Sequence, residues 1–164
     1  MVKVEADYVP IGEELTHIRN YLDFQKVRFG DSLDYSITCE PALEVVPIPP
    51  FIMESFVGNS LKYGMDDEDH IEIEIRIVQT GTFDLTMVIR DHGSGFPNEI
   101  LEAVHAFENN SLSEQDKALL GTGIRNSIER LRLIYKDRAA FHMYNDGGAV
   151  TEIKLQLQKK EEEE

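Results

Sequence analysis

Three short stretches hold residues whose types and spacing suit chemistry. Asp91-His92-Gly93-Ser94-Gly95-Phe96-Pro97 directly follows an alternating apolar run. An acidic side chain at a strand end can accept a hydrogen bond from an exocyclic amine such as that of adenine, and the glycines allow backbone angles and close approach that side chains would block. Gly121-Thr122-Gly123-Ile124-Arg125-Asn126 opens a helical pattern. Helix N-termini offer unpaired N–H groups and a partial positive charge, which suit a chain of phosphates, and Arg125 adds a cation. The third stretch runs from Glu54 to Gly64. Ile52, Phe56, Val57 and Leu61 supply its apolar face, leaving Glu54, Ser55, Asn59, Lys62 and Tyr63 as the polar remainder. The oxygens of Asn59 and Glu54 suit a hard cation such as Mg²⁺ beside phosphates. Taken singly, each stretch also has a plain structural reading: a capped surface turn, a glycine hinge, and a helix with one exposed Asn.

The elements around these stretches follow from periodicity. Glu13 to Phe29 is expected as an amphipathic helix with Leu15, Ile18, Leu22 and Phe29 near one stripe, ended by Gly30-Asp31. That stripe either folds back on the domain or pairs with another copy. Leu33 to Thr38 alternates as a short strand, and the prolines between Pro41 and Pro50 mark a connection. Helix is expected to resume after Pro50, a residue suited to a helix start, and to run to Tyr63 with Gly64 as terminator. His70 to Val78 and Phe83 to Ile89 alternate strictly and read as an antiparallel hairpin. Helix is expected over Pro97–Asn109, a polar unpatterned segment over Asn110–Leu120, and a strong helix from Gly121 to Tyr135. Strands near Ala140–Tyr144 and Val150–Leu157 close the chain, joined by a turn at Asn145–Gly148. This order describes an α/β two-layer sandwich, a mixed sheet covered on one face by helices.

Composition narrows the function classes. With 164 residues the chain has room for one well-formed core. The formal net charge of −15 argues against a nucleic-acid partner and against docking on anionic lipid. Cys39 is the single cysteine, so a disulfide within the chain and a cysteine-based zinc site are both excluded. No apolar run is long enough for a membrane span, and Met1 to Pro10 lacks the apolar core of a secretory signal, so a cytoplasmic location is expected.

The combination of the three stretches, in this order, is far more specific than any one. It resembles the Bergerat ATP-binding fold shared by histidine kinases, gyrase-type topoisomerases, a heat-shock chaperone family and a mismatch-repair ATPase family. Within it, Val9-Pro-Ile-Gly-Glu-Glu-Leu-Thr-His-Ile-Arg-Asn-Tyr-Leu-Asp-Phe-Gln-Lys-Val-Arg-Phe29 and Gly123-Ile-Arg-Asn-Ser-Ile-Glu-Arg-Leu-Arg-Leu-Ile-Tyr135 are similar to the LytS/YesM-type sensor histidine kinases, and the likeness runs from about Val9 to Leu157. The resemblance implies an ATP-binding catalytic domain over residues 33–158, preceded at 1–32 by a helix belonging to the dimerisation and phosphoacceptor region and followed by a charged tail at 159–164. It implies that Asp91 binds the adenine amine and that Asn59 coordinates Mg²⁺. Gly93 and Gly95 would shape the adenine pocket, and Lys62 and Tyr63 would lie near the nucleotide. Gly121, Thr122, Gly123, Ile124 and Arg125 would line the phosphate end. Residues from Pro97 to Leu120 would form a lid over ATP. The implied parent is a homodimeric bacterial receptor with this domain on the cytoplasmic side of the inner membrane, passing phosphate to a response regulator.

The chain departs from the family pattern at two places. Gly58 stands where a Glu usually precedes the metal-binding Asn, and Glu54, where Gln is usual, is the candidate to restore that charge. His92 stands between Asp91 and Gly93 where Asn is usual. None of the chain's histidines sits in a phosphoacceptor motif, so the chain by itself is expected to bind ATP without autophosphorylating. Three other readings stay open: a hydrolytic ATPase, whose water-activating Glu would stand where Ser55 is; a serine kinase of the anti-sigma-factor type; and an interaction domain with a degenerate nucleotide site.

Overall fold

The computed structural model of the chain describes residues 7–82, 84–108 and 113–157. Its elements are β1 (Val9–Pro10), α1 (Ile11–Phe29), β2 (Leu33–Cys39), β3 (Pro47–Ile48), α2 (Glu54–Tyr63), β4 (Ile71–Gln79), β5 (Asp84–Asp91), α3 (Asn98–Glu108), α4 (Glu114–Tyr135), β6 (Ala139–Asn145) and β7 (Ala149–Gln156). Phe83, Asn109, Asn110 and the charged tail at 159–164 lie outside the described residues.

The long strands form one sheet in the order β2-β4-β5-β7-β6, and β1 and β3 make a separate two-residue pair. β2 runs parallel to β4, while the remaining neighbours are antiparallel. The mixed, one-side-covered sheet expected from the sequence is therefore the sheet observed. Its two faces follow from the period of two along each strand. Ile71, Ile73, Ile75 and Ile77 are fully buried under the helices, whereas Glu72 and Arg76 between them face solvent. Across the β4–β5 ladder Ile77 pairs with Met87, Ile75 with Ile89, and Ile73 with Asp91. This register places the carboxylate of Asp91 at the end of the apolar row Leu85, Met87, Ile89, on the side facing the helices.

The apolar stripe of α1 folds back on the domain. Ile11, Leu15, Ile18 and Leu22 are buried in one cluster with Leu33, Leu43, Ile48 and Ile52, so the stripe does not stand free for pairing with a second copy. Among the described residues, no helix is long and apolar enough to cross a membrane.

α2 begins at Glu54, three residues later than Pro50 suggests. Phe51 has φ 63°, a value a helix cannot accommodate. The cause lies far away in sequence: the N–H groups of Phe51 and Ile52 donate to Glu14 Oε2 (3.0 Å) and Oε1 (3.1 Å) on α1. Arg130 of α4 donates to the carbonyl of Pro50 from the other side. Side chains of two helices thus hold the backbone ahead of α2 in a non-helical path. Glu14 is itself buried, and burial pushes its carboxyl above the usual range against the opposing pull of the backbone N–H groups and His17. A raised folded-state value means that the native state holds this proton more tightly than the unfolded chain does. The corresponding stability is complete below the ordinary value of 4.5 and is lost as pH rises through the raised one. The stability advantage of wild type over Glu14→Gln, measured by urea unfolding, is therefore expected to shrink as pH rises above 4.5. Growth of that advantage over the same range would contradict the assignment.

The segment expected as a lid, Pro97 to Leu120, is helical on both sides of 109–112. α3 buries Ala103, Val104 and Phe107, and Arg132 of α4 lies 4.4 Å above the Phe107 ring while donating to its carbonyl (3.2 Å). α4 starts at Glu114, not at Gly121, because Ser113 closes a capping box: its Oγ accepts from Asp116 N–H (3.2 Å) and Asp116 Oδ2 accepts from Ser113 N–H (3.3 Å). Gly121, at φ 71° and ψ 160°, interrupts that helix, and a second helical stretch begins immediately after it.

Candidate functional site

A cleft of about 390 Å³ opens between α2, the ends of β5 and β7, and the α3–α4 segment. That volume lies within the range of small-molecule sites. Of the residues singled out in the sequence, Asn59, Lys62, Tyr63, Asp91, Gly95, Gly121 and Ile124 line it. Phe56, Ile89, Phe96, Leu120 and Ile124 give it apolar walls suited to a flat aromatic ring.

Asp91 is the buried polar anchor, only 3% exposed. Its Oδ1 accepts the N–H of Gly93 (3.1 Å) and the N–H of Ala149 (3.1 Å). Among the described residues nothing donates to Oδ2, so one oxygen orients the carboxylate and the other remains an acceptor on the cleft wall. A buried carboxylate with a free acceptor is costly unless a ligand or water completes it. Gly93 serves this geometry from behind: a Cβ there would lie 2.6 Å from the carbonyl carbon and oxygen of Gly64 at the end of α2. α2 and the loop after β5 touch backbone to backbone, which brings Asn59, Lys62 and Tyr63 to the same cleft as Asp91. Lys62 Nζ sits 5.0 Å over the Tyr63 ring at the cleft mouth.

Besides Gly93, four expected residues are not on the wall. Thr122 is exposed and Arg125 half-buried, both beyond the Gly121 break. Gly123 packs on α2, where an added Cβ would come 3.0 Å from Ser55 Oγ, so its small size serves helix contact. Glu54 points to α1 and pairs with His17 Nε2 at 3.4 Å, on the opposite side of α2 from the cleft-lining Asn59. Gly58 shares the Glu54 side, one turn on. A Cβ at Gly58 would meet only the Tyr21 hydroxyl, at 3.9 Å. Burial, and then the charge of Glu54, raise the Tyr21 hydroxyl above its ordinary value. Since nothing crowds position 58, Gly58→Ala is expected to stabilise the domain by about 1 kcal/mol through helix propensity alone, read as a higher urea midpoint.

Other contributors escaped the sequence reading. Thr151 is buried on β7, opposite Ile89, and brings a hydroxyl to the wall. Ala149 supplies the second N–H to Asp91, and Asn145 grips the backbone of Phe96. Alternation in β7 could have flagged Thr151 as a polar residue at an inward position. Nothing local marks Asn145 or Ala149, whose partners lie 49 and 58 residues away.

An open α/β sandwich with a buried strand-end Asp, a glycine contact behind it and an Asn-bearing helix beside it defines a nucleotide-binding ATPase-type domain. The sequence matches the family model described as histidine kinase-, DNA gyrase B-, and HSP90-like ATPase over residues 51–159, and the chain belongs to that family. It is 27% identical to the sensor protein LytS of Bacillus subtilis over 159 residues, covering 95% of this chain and 26% of that protein. It is 20% identical over 144 residues to the sensor histidine kinase/phosphatase LytS of Staphylococcus aureus, covering 87% of this chain and 24% of that one. The LytS-type resemblance seen in the sequence is thus borne out, and the chain spans about a quarter of the length of these relatives. Among solved structures, the catalytic domain of histidine kinase ThkA superposes with a TM-score of 0.64 at 12% identity, covering 94% of this chain and 98% of that one. Full-length ShkA in complex with AMPPNP superposes with a TM-score of 0.68 at 15% identity, covering 97% of this chain and 32% of that one. The fold is that of histidine kinase catalytic domains.

Proposed function

We propose that this chain is the ATP-binding catalytic domain of a two-component sensor histidine kinase of the LytS type. The observation that carries the reading is Asp91: a buried carboxylate with one oxygen fixed by two backbone N–H groups and the other free in an apolar cleft. Such an acceptor matches the exocyclic amine of adenine, and Gly121, on the cleft wall, opens a helical stretch whose N-terminus would suit phosphates. For Mg²⁺ the fit rests on Asn59, a neutral oxygen donor on the cleft wall. Among the described residues no three His, Cys, Asp or Glu side chains group into a site able to hold a metal. A sparse donor set suits an ion that keeps its waters and arrives with the substrate phosphates, where it would offset their charge. Glu54 is committed to His17 and lies away from that donor.

In the parent receptor the γ-phosphoryl group would pass from ATP to a histidine outside this chain, releasing ADP, and then to an aspartate of a response regulator. Positioning and charge neutralisation carry most of such a transfer. A hydrolytic role is disfavoured by Ser55, which stands where a water-activating Glu would be needed. Its Oγ accepts from Ser127 Oγ (3.4 Å) and abuts Gly123, inside the α2–α4 contact. Residues 1–32 would belong to the helical region joining this domain to the phosphoacceptor helices of a homodimeric, membrane-bound parent. Calorimetric titration with ATP and ADP, with and without Mg²⁺, tests the reading. Saturable binding is expected, and ligand at about 100 times its Kd should add about 2.7 kcal/mol to stability in a melt. No binding under any of these conditions would leave an interaction domain with a degenerate site as the better account.

A further inference from the structure

We infer that Asn145, the last residue of β6, is a positioning residue for the nucleotide cleft: it holds the backbone of Phe96 so that the Gly95–Phe96 rim is set before a ligand arrives. The inference rests on the nucleotide reading of the cleft and adds to it a residue outside the cleft lining.

The geometry is a two-point amide clamp. Asn145 Oδ1 accepts the N–H of Phe96 (2.7 Å), and Asn145 Nδ2 donates to the carbonyl of the same residue (2.9 Å). The side chain thereby imitates a neighbouring β-strand for one residue and satisfies both backbone groups of Phe96, which the strand ladder no longer reaches. Gly95 and Phe96 both line the cleft. At Gly95 the backbone takes φ 84°, and a Cβ there would stand 2.7 Å from Asn145 Cγ, so the loop rests directly on the amide.

The turn that follows Asn145 is itself anchored around Asp91. A Cβ at Gly148 would fall 2.0 Å from the carbonyl oxygen of Asp91, and the N–H of Ala149 donates to Asp91 Oδ1. Arg90 Nη2 donates to the carbonyl of Asp146 (2.5 Å) and lies 3.5 Å from its Oδ2. Asp146 N–H closes the turn on Gly148 O (2.9 Å). The β6–β7 hairpin end therefore supports both the acceptor that reads the base and the loop that walls it in. An unclamped loop would have to be ordered at the moment of binding, and that cost would appear as lost affinity.

The test uses the purified chain and ADP as probe. Asn145→Ala is expected to weaken ADP binding about fivefold to tenfold, the scale of two neutral hydrogen bonds partly replaced by water. AMP should lose the same factor, because the clamp acts at the base end. Amide hydrogen exchange at Phe96 should quicken in the same variant. Asn145→Asp keeps the acceptor for Phe96 N–H but sets a carboxylate oxygen against Phe96 O, and should bind no better than Asn145→Ala. Tyr144→Phe, which removes a hydrogen bond to Glu152 (2.8 Å) on the outer sheet face of the same hairpin, should bind ADP as wild type does. Unchanged ADP affinity in both Asn145 variants, with wild type binding normally, would overturn the inference and leave the nucleotide reading intact. Failure of wild type to bind ADP would remove both.

Discussion

Replacing Asp91 with Asn is expected to lower affinity for ATP by about a hundredfold or more while leaving the fold in place. The two halves of this expectation come from the two oxygens. The amide oxygen of Asn can take over the role of Oδ1, accepting the N–H groups of Gly93 and Ala149, so the loop and the β7 start keep their positions. The amide nitrogen then stands where Oδ2 was, and the cleft wall presents a donor in place of a charged acceptor. An adenine amine would meet that donor head-on, losing a charge-assisted bond and leaving two N–H groups unsatisfied. The substitution also changes selectivity. Guanine carries a carbonyl oxygen where adenine carries its amine. Wild type should therefore reject GTP through carboxylate–carbonyl repulsion, and Asp91→Asn should narrow the gap between ATP and GTP. Calorimetric titration with both nucleotides, beside a thermal melt, separates this from general damage. An Asp91→Asn protein that melts like wild type and binds ATP equally well would mean that the carboxylate only organises the loop.

Much of this site was legible because it is built from local patterns. The row Ile71, Ile73, Ile75, Ile77 and the run ending at Asp91 announce two paired strands, and the antiparallel register then dictates that Asp91 faces the helices. The Asn59-Lys62-Tyr63 face followed from the apolar positions of α2, and the cleft gathers all three. What local pattern could not supply was the influence of distant side chains. The late start of α2 depends on Glu14, thirty-seven residues before Phe51, and propensity alone favoured a helix from Pro50. The beginning of α4 was misplaced for a different reason: Ser113 and Asp116 form a legible capping box, but the glycines at 121 and 123 drew the helix start to themselves. Gly123 and Gly121 look alike in sequence yet differ in cause, one being small to fit Ser55 and the other glycine because of its positive φ. The expected role of Glu54 beside the metal did not follow from spacing, because residues 54 and 58 share the face toward α1 while Asn59 faces the cleft.

The largest stability loss is expected from Gly93→Ala, on the order of 3 kcal/mol, the upper end for overpacking where the neighbours cannot yield. The added methyl would lie 2.6 Å from both the carbonyl carbon and the oxygen of Gly64 and 2.7 Å from its Cα. All three are backbone atoms at the end of α2, so no rotamer change can relieve the contact. Shifting Gly64 is also obstructed, because that residue is packed against Asp91, 3.0 Å from its Cγ when a Cβ is placed there, and its N–H is bonded to Ser60 O (2.8 Å). The strain must move α2 away from the loop after β5, and with it Asn59, Lys62 and Tyr63 away from Asp91. For a domain of this size the melting temperature should fall by about 6–12 °C, at about 2–4 °C for each kcal/mol. Nucleotide affinity should fall with it, since the cleft is formed by the two elements that are pushed apart. Gly58→Ala is the natural comparison, being the same substitution on the helix that Gly93 seats, with its nearest neighbour at 3.9 Å, and its effect should have the opposite sign. If both substitutions destabilise alike, backbone contact between Gly64 and Gly93 is not what seats α2. If they diverge as expected, the glycine after Asp91 is explained by the approach of a helix end, with the shape of the nucleotide pocket as its consequence.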